Sequence, residues 1–434
     1  MVTDSGATSA PRVVETHISL LFFVGDRVYK LRKPVRYDFV DFTDPEVRRV
    51  DCEREVALNR RLAPDVYLGV AELAMGGHPI DHLVVMRALP GARRLATLAR
   101  DGVDLTPVLR DVATTLASFH AKADRSEAIS AAGTAAALGA TWADNFDETS
   151  RFVGSVLPAD DDREIRGLVR RWLERSSDLL DRRVSEGSVC DGHGDLQAED
   201  IFCLDDGIRI LDCIEFSDEL RHGDVCADVA FLAMDLERLG RTTAAAAFVR
   251  DYEEASGRVL PPLLLHHYIG SRAYVRAKVA CLRHEQGDPS AAAEARILHS
   301  LALRHLRQAR HALVLVGGLP GSGKSTLASA MGAELGWTVL RSDEVRRERD
   351  EWSGYDAAAV SGVYAEMVAR AGRVLADGGS VVVDATWVDE SERAAAARVA
   401  ISAGAEILPV CCICDTAVAT ARITERMRHG GDAS

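Results

Sequence analysis

One stretch constrains this chain more than any other. Ala312-Leu-Val-Leu-Val-Gly317 is a continuous apolar run, and it leads directly into Gly318-Leu-Pro-Gly-Ser-Gly-Lys324-Ser325-Thr326. A run that is apolar at every position, rather than at alternate ones, reads as a parallel strand buried on both faces. The second segment is G-x-x-x-x-G-K-S/T in full, placed where a strand gives way to a helix. Gly318, Gly321 and Gly323, with Ser322 among them, let backbone N–H groups curl around phosphate oxygens. Lys324 is expected to reach the β- and γ-phosphates of ATP, Ser325 to hold Mg²⁺, and Thr326 to enter the helix beside them. The motif therefore demands a strand–loop–helix unit on a parallel sheet.

Its surroundings agree. Ser380-Val-Val-Val-Asp384 reads as a second buried strand ending in an acid, the place for a carboxylate that helps position Mg²⁺. Trp337–Leu340 reads as a strand followed by Arg341-Ser342-Asp343. Arg422, Arg426 and Arg428 fall on one side of a helical stretch, where guanidinium groups can close over a transferring phosphate. Together these residues resemble the small P-loop kinases, a group that includes gluconate kinases, the kinase domain of polynucleotide kinases and zeta-type toxins. The resemblance implies that Asp343 is a general base and that Arg346 and Arg393 contact substrate. It covers 311–434, and those 124 residues end just after the expected lid, so an edge strand is expected to be missing.

Length and charge bound the rest. At roughly 100–200 residues per domain, 434 residues make two or three domains. A hydrophobic share of 47% with 27% charged residues is that of a soluble globular chain. Acids exceed bases, 66 against 52, for a net charge of −14, which argues against a nucleic-acid-coating protein or a polybasic membrane binder. Residues 311–434 are also acidic, with 12 bases and 17 acids. No apolar run approaches the roughly 18 residues of a membrane span, and the N-terminus lacks the pattern of a signal peptide. A cytoplasmic protein is expected, with no membrane partner; the oligomeric state is not legible. Nine cysteines form no disulfide framework, and Cys411 and Cys414 read as buried strand residues. Only five of the 52 bases are lysine, so each surviving lysine points mildly to work that arginine cannot do.

The first half carries its own constellation. Residues 1–15 read as a short mobile tail. Ile18–Val24 and Arg27–Lys33 read as strands around the turn Gly25-Asp26, and 45–62 as a helix opened by Pro45. Val70–Ala74 and His82–Ala88 read as a further strand pair. Helices are expected over 105–122, 165–180 and 224–239. His193-Gly194-Asp195-Leu196 is followed, five residues past Asp195, by Asp200. A hairpin comes next, Ile201–Leu204 and Ile208–Leu211, ending in Asp212. That spacing brings Asp195 and Asp212 to one end of a hairpin, where one can handle a hydroxyl proton while the other holds metal. Period-two alternation puts Lys33 on the opposite face from Lys30.

This arrangement resembles the protein-kinase-like fold, and within it the aminoglycoside phosphotransferase and sugar or choline kinase branch. The resemblance makes Asp195 the catalytic base and Asp212 a Mg²⁺ ligand, with Asp200 standing where the fold usually has a metal-binding asparagine. It puts Lys30 on the ATP phosphates and pairs it with Glu55, or alternatively Glu53. It places adenine against the hinge at Met86–Leu89, with Met86 and Ala88 contributing, and it gives Arg221, Asp224 and Asp228 a supporting role. Trp142 and Asn145 could line the acceptor site. His266 and His267 read as packing residues.

The two halves together resemble bacterial proteins described as bifunctional aminoglycoside phosphotransferase/ATP-binding proteins. The expected fold is an α+β protein-kinase-like bilobal domain over 16–310, small lobe 16–90 and large lobe 91–310, followed by an α/β P-loop kinase-like domain over 311–434. The expected function is phosphorylation of a small hydroxylated metabolite by ATP and Mg²⁺ in the first domain. Two other readings stand beside it: the P-loop domain as the working kinase, or as a nucleotide-binding module that regulates its neighbour.

Overall fold

The computed structural model describes residues 12–16, 18–37, 40–348 and 357–428, without the side chains of 37, 40, 357, 426 and 427. It divides into two compact units, one of 1–138 with 180–259 and the other of 139–179 with 260–434.

The first unit opens with a five-stranded antiparallel sheet. Its strands are β1 (Arg12–Glu15), β2 (Ser19–Val24), β3 (Arg27–Arg32), β4 (Tyr67–Met75) and β5 (His78–Arg87), in the spatial order β1-β2-β3-β5-β4. Residues 12–15 are thus a strand and not tail. Val13 and Val14 suit an extended chain, and the open edge of β2 pairs with them, Arg12 opposite Phe23. The helix Pro45–Asn59 follows β3. Asp44 caps it by accepting from the Glu46 N–H, a contact worth about 1 kcal/mol, and Pro45 fits the first turn. Four short strands build the lower part of the unit: β6 (Val189–Asp191), β7 (Ile201–Leu204), β8 (Gly207–Ile210) and β9 (His222–Asp224). β7 pairs with β8, and β6 with β9. The apolar helix Val225–Arg238 backs them and is buried along nearly its whole length.

The second unit holds a four-stranded parallel sheet: β10 (Ala312–Gly317), β11 (Thr338–Arg341), β12 (Val381–Asp384) and β13 (Glu406–Cys411), in the order β11-β12-β10-β13. Alternate residues of β10 and β12 feed two cores. Leu313, Leu315, Val381 and Val383 pack on Tyr364, Met367 and Trp387. Val314, Val316 and Val382 pack on the other face with Ala328 and Trp337. Burial on both faces is what an unbroken apolar run requires.

Helices over 139–175 and 260–308 belong to this same unit. The expected boundary at 310/311 falls inside it, because bonds cross that point. Leu263 N–H donates to Gly378 O at 3.3 Å. Arg310 and Arg175 both pair with Glu406, at 3.0 and 3.3 Å. The helix expected over 165–180 is two helices, Ala159–Arg175 and Ser177–Ser185, parted at Ser176, which leaves helical geometry. Cys411, the last residue of β13, is exposed because that strand lies at the sheet edge, and Cys412 and Cys414, past the strand's end, are half-buried, against the expectation for Cys411 and Cys414; the other six cysteines are buried. Among the described residues no helix is long and apolar enough to cross a membrane.

Candidate functional site

β3 and the helix Pro45–Asn59 bring the first site together. Val28, Lys30 and Arg32 alternate onto one face of β3, and β5 holds that strand in register, Lys30 opposite Val84. Lys30 Nζ donates to Glu55 Oε1 at 2.8 Å and to Asp212 Oδ1 at 3.1 Å. Glu53 instead pairs with Arg49 on the exposed face of its helix. Asp212 sits at φ 61°, a left-handed conformation uncommon for a residue with a side chain. Three backbone bonds hold it there. Leu211 N–H donates to Asp200 O at 2.9 Å, the Asp212 N–H donates to the Tyr67 hydroxyl at 3.3 Å, and Cys213 N–H donates to Asn59 Oδ1 at 2.8 Å.

Lys30, Asp195, Asp200 and Asp212 all line one cleft of about 530 Å³, with Val28, Tyr67, Met86, Leu89 and Phe202 among its apolar walls. The Lys30 ammonium holds the Asp212 carboxyl below the usual range. Burial, then the charges of Asp212 and Asp195, push the Asp200 carboxyl well above it. Such crowding of carboxylates is relieved by a cation, so Asp200 and Asp212 fit a divalent metal. Burial pushes the Glu215 carboxyl up to about 7, against the pull of Arg32 and with the charge of Glu55 adding to the rise.

The loop of Asp195 rests on a buried acid. Asp228 accepts from the backbone N–H groups of His193 at 2.7 Å and Gly194 at 2.9 Å, and it meets His120 Nε2 at 3.2 Å. Despite burial, these bonds hold its carboxyl far below the ordinary value. Gly194 must be glycine: at φ 87° a Cβ would lie 2.9 Å from Leu220 O. Gln197 Nε2 donates to Asp195 Oδ2 at 2.9 Å. Asp224 pairs with Arg183, and Arg221 with Asp191, so both are supports. Arg61 belongs to no motif, yet it joins the site. It donates to Asp191 O at 3.1 Å and Gly192 O at 3.0 Å and meets Cys213 Sγ at 3.1 Å, linking the two acidic loops.

The hinge departs from expectation in one respect. Met86 lines the cleft, but the Ala88 N–H is spent on Asp26 O at 2.8 Å and the Arg87 N–H on Val66 O at 2.9 Å. Neither amide is offered to a base. Trp142 and Asn145 also differ. Both are buried in helix 135–149: Trp142 Nε1 donates to His267 Nε2 at 3.2 Å, and Asn145 Nδ2 donates to Thr141 O at 2.8 Å. His267 stacks on Trp172 with ring centroids 3.5 Å apart.

The second site forms around the loop 318–323. Gly318 at φ 138°, Gly321 at φ 76° and Gly323 at φ 97° give the loop its curl; a Cβ on Gly318 would lie 2.5 Å from Cys412 O, and one on Gly321 2.7 Å from Ala419 O. Such a cradle fits a phosphate group. Lys324 Nζ donates to Leu319 O at 2.9 Å. A cavity of about 310 Å³ is lined by Gly321, Gly323, Lys324, Ser325, Thr326, Ser342, Asp343, Arg346, Tyr364 and Asp384. Burial raises the Asp384 carboxyl against a hydrogen bond from Ser325 and the charge of Lys324, and this pair fits Mg²⁺. Ser322 Oγ is buried with no hydrogen-bond partner. Asp343 is clamped by Arg341 at 3.0 Å and Arg347 at 2.8 Å. Arg422 donates to Gly321 O at 3.2 Å. The Arg426 side chain lies outside the described residues. Arg393 is turned onto the carbonyls of Trp387 and Val388, both at 2.6 Å.

Comparison with known proteins gives three findings. The AAA domain family matches residues 313–434. The choline/ethanolamine kinase family protein of Mesorhizobium loti covers 70% of this chain and 94% of its own at 15% identity, with a TM-score of 0.42. The uncharacterized protein Rv2004c of Mycobacterium tuberculosis is 40% identical over 436 residues, 97% of this chain and 87% of its own length. At that identity and coverage the chain belongs to the family of the mycobacterial protein.

Proposed function

We propose that the cleft around Asp195 transfers the γ-phosphate of ATP to a hydroxyl of a small metabolite of the sugar, amino-sugar or aminoglycoside-like class, and that the P-loop cavity is a second nucleotide site. One observation carries this reading. Lys30 lies between Glu55 and Asp212, in a cleft that also presents Asp195 and Asp200.

Each residue then has a task. The Lys30 ammonium, oriented by Glu55, binds the α- and β-phosphates. Asp195 takes the proton of the acceptor hydroxyl as that oxygen bonds to the γ-phosphorus. The bond from phosphorus to the β–γ bridging oxygen breaks, and ADP leaves. Asp212 and Asp200 would hold Mg²⁺, which supplies charge neutralisation on the phosphates. Little covalent chemistry falls to the protein, so positioning dominates the rate.

A second reading places transfer at the P-loop, since Asp343 shares its cavity with Lys324 and Asp384. Arg341 and Arg347 both bond Asp343 Oδ2, so a base there would act through Oδ1. Asp195→Ala and Lys324→Ala separate the readings. ATP turnover is measured over sugars, amino sugars and oligonucleotides. Asp195→Ala is expected to abolish transfer and Lys324→Ala to keep it. Full transfer by Asp195→Ala sinks the first reading, and oligonucleotide phosphorylation lost in Lys324→Ala establishes the second. Nucleotide binding lost in Lys324→Ala without loss of transfer marks the P-loop domain as a binding module.

A further inference from the structure

Arg32 is 1% exposed and leaves β3 on the same face as Lys30. Four of the five N–H donors of its guanidinium bond to neighbouring side chains. Nε donates to Asp51 Oδ2 at 2.7 Å, one terminal nitrogen to Ser19 Oγ at 3.0 Å, and the other to Glu55 Oε2 at 2.7 Å and to Glu215. Glu55 is therefore shared, with Oε1 on Lys30 and Oε2 on Arg32. Asp51 and Glu55 come from the helix Pro45–Asn59, while Glu215 lies three residues past Asp212. One side chain joins β3, that helix and the segment bearing the proposed metal ligand.

Asp51, Glu55 and Glu215 bring ligand oxygens within 4.8 Å of one another. Three such acids cannot stay together in a low-dielectric interior without a cation, and the Arg32 guanidinium is the cation that bonds to all three. A buried cluster of this kind is a poor source of stability, because desolvating the ions costs about as much as their attraction returns. What it does supply is geometry: each carboxylate oxygen has one direction it can face.

We propose that Arg32 is a positioning residue of the transfer reaction. It turns Glu55 onto Lys30, and through Glu215 it sets the segment that carries Asp212. This rests on the reading of the cleft as an ATP site, and the test keeps the two apart.

The probe is an acyl phosphate of ATP. A lysine lying against the phosphates attacks the acyl carbon, forms an amide, releases ATP from the broken C–O bond and loses its proton to solvent. In the native protein, Lys30 and Lys324 are both expected to be acylated, and excess ATP to protect both. Arg32→Met is expected to lower the maximal labelling rate at Lys30 about tenfold, with the half-saturating probe concentration changed less than twofold and Lys324 labelled as before. Arg32→Lys is expected to recover part of the rate. Glu215→Gln keeps shape and removes one charge. It decides the matter should Arg32→Met fail to fold, and a smaller drop of about threefold is expected from it. If Lys30 of the native protein resists ATP-protected labelling, the cleft is not the ATP site. If Lys30 labels at equal rates in the native protein and in the folded variants, Arg32 is a packing residue only and the ATP site stands.

Discussion

Lys30 shows what one residue can and cannot be exchanged for. Its ammonium reaches Glu55 and Asp212 within 3.1 Å, and a phosphate there needs a compact charge. A guanidinium is planar and longer, so Lys30→Arg keeps the charge and misplaces it. Transfer by Lys30→Arg is expected to fall at least 100-fold, read as initial ADP release with a responsive acceptor; near-native activity would remove Lys30 from the phosphate site. His267 gives a residue-scale effect on stability. It is buried, and burial lowers its pKa to about 3 from an ordinary 6.5. The sign follows from which state binds protons. Above pH 6.5 the ring is neutral in both states and the buried form costs nothing. As pH falls from 6.5 towards 3, the unfolded chain takes up a proton that the folded chain refuses, and stability is lost at about 1.4 kcal/mol per unit. His267→Gln is expected to flatten the fall of Tm between pH 6.5 and pH 4, and an unchanged slope would clear His267 of the effect. Alternation along the strand sets Lys30 apart from Lys33, but the Lys30–Glu55 pairing is legible only through the family resemblance, which leaves Glu53 open beside Glu55. The Arg32–Glu215 contact is not, since its partners lie 183 positions apart and neither belongs to a motif.

At the scale of elements, the P-loop is readable because its spacing, its apolar strand and its helix all encode one geometry. That geometry allows no Cβ at Gly318, which would meet the backbone at Cys412. Gly318→Ala is expected to abolish labelling of Lys324 by the ATP acyl phosphate while leaving that of Lys30 intact; retained labelling at both would show that the loop yields. Cys411, the last residue of β13, differs from expectation for a reason of the same scale. An apolar stretch tells that a strand is in a sheet but not where in the order it stands, and β13 stands at the edge. Cys411 is exposed, with Cys412 and Cys414 half-buried, so a thiol reagent on the native protein is expected to consume three thiols, Cys411 first. The other six should react only after unfolding, and early loss of any of them, read by peptide mass, would contradict the packing. The helix ends follow a similar logic. Apolar periodicity continues across Ser176, but a chain that leaves helical geometry there starts a new helix one residue on.

At the scale of the whole chain, charge and function pull against each other. The two proposed nucleotide sites are carried by a protein of net charge −14. ATP approaching either proposed site would meet that net negative charge before it meets Lys324 or Lys30. Salt acts first on the far field. Its range shrinks from about 30 Å at 0.01 M to about 8 Å at 0.15 M, whereas contacts at hydrogen-bond distance are screened much less. The second-order rate of nucleotide binding is therefore expected to rise with ionic strength over that span, the opposite of a protein that gathers polyanions on a basic surface. Stopped-flow mixing with a fluorescent ATP analogue measures it, and the Lys324→Ala and Lys30→Ala variants assign each phase to its site. A rate that falls steeply with salt would mean that the local cations govern approach as well as binding. The same field opposes an oligonucleotide more strongly than a mononucleotide, since its charge extends beyond the reach of either lysine. Rising ATP on-rates, together with no oligonucleotide binding at 0.15 M salt, would thus favour a small acceptor at both sites.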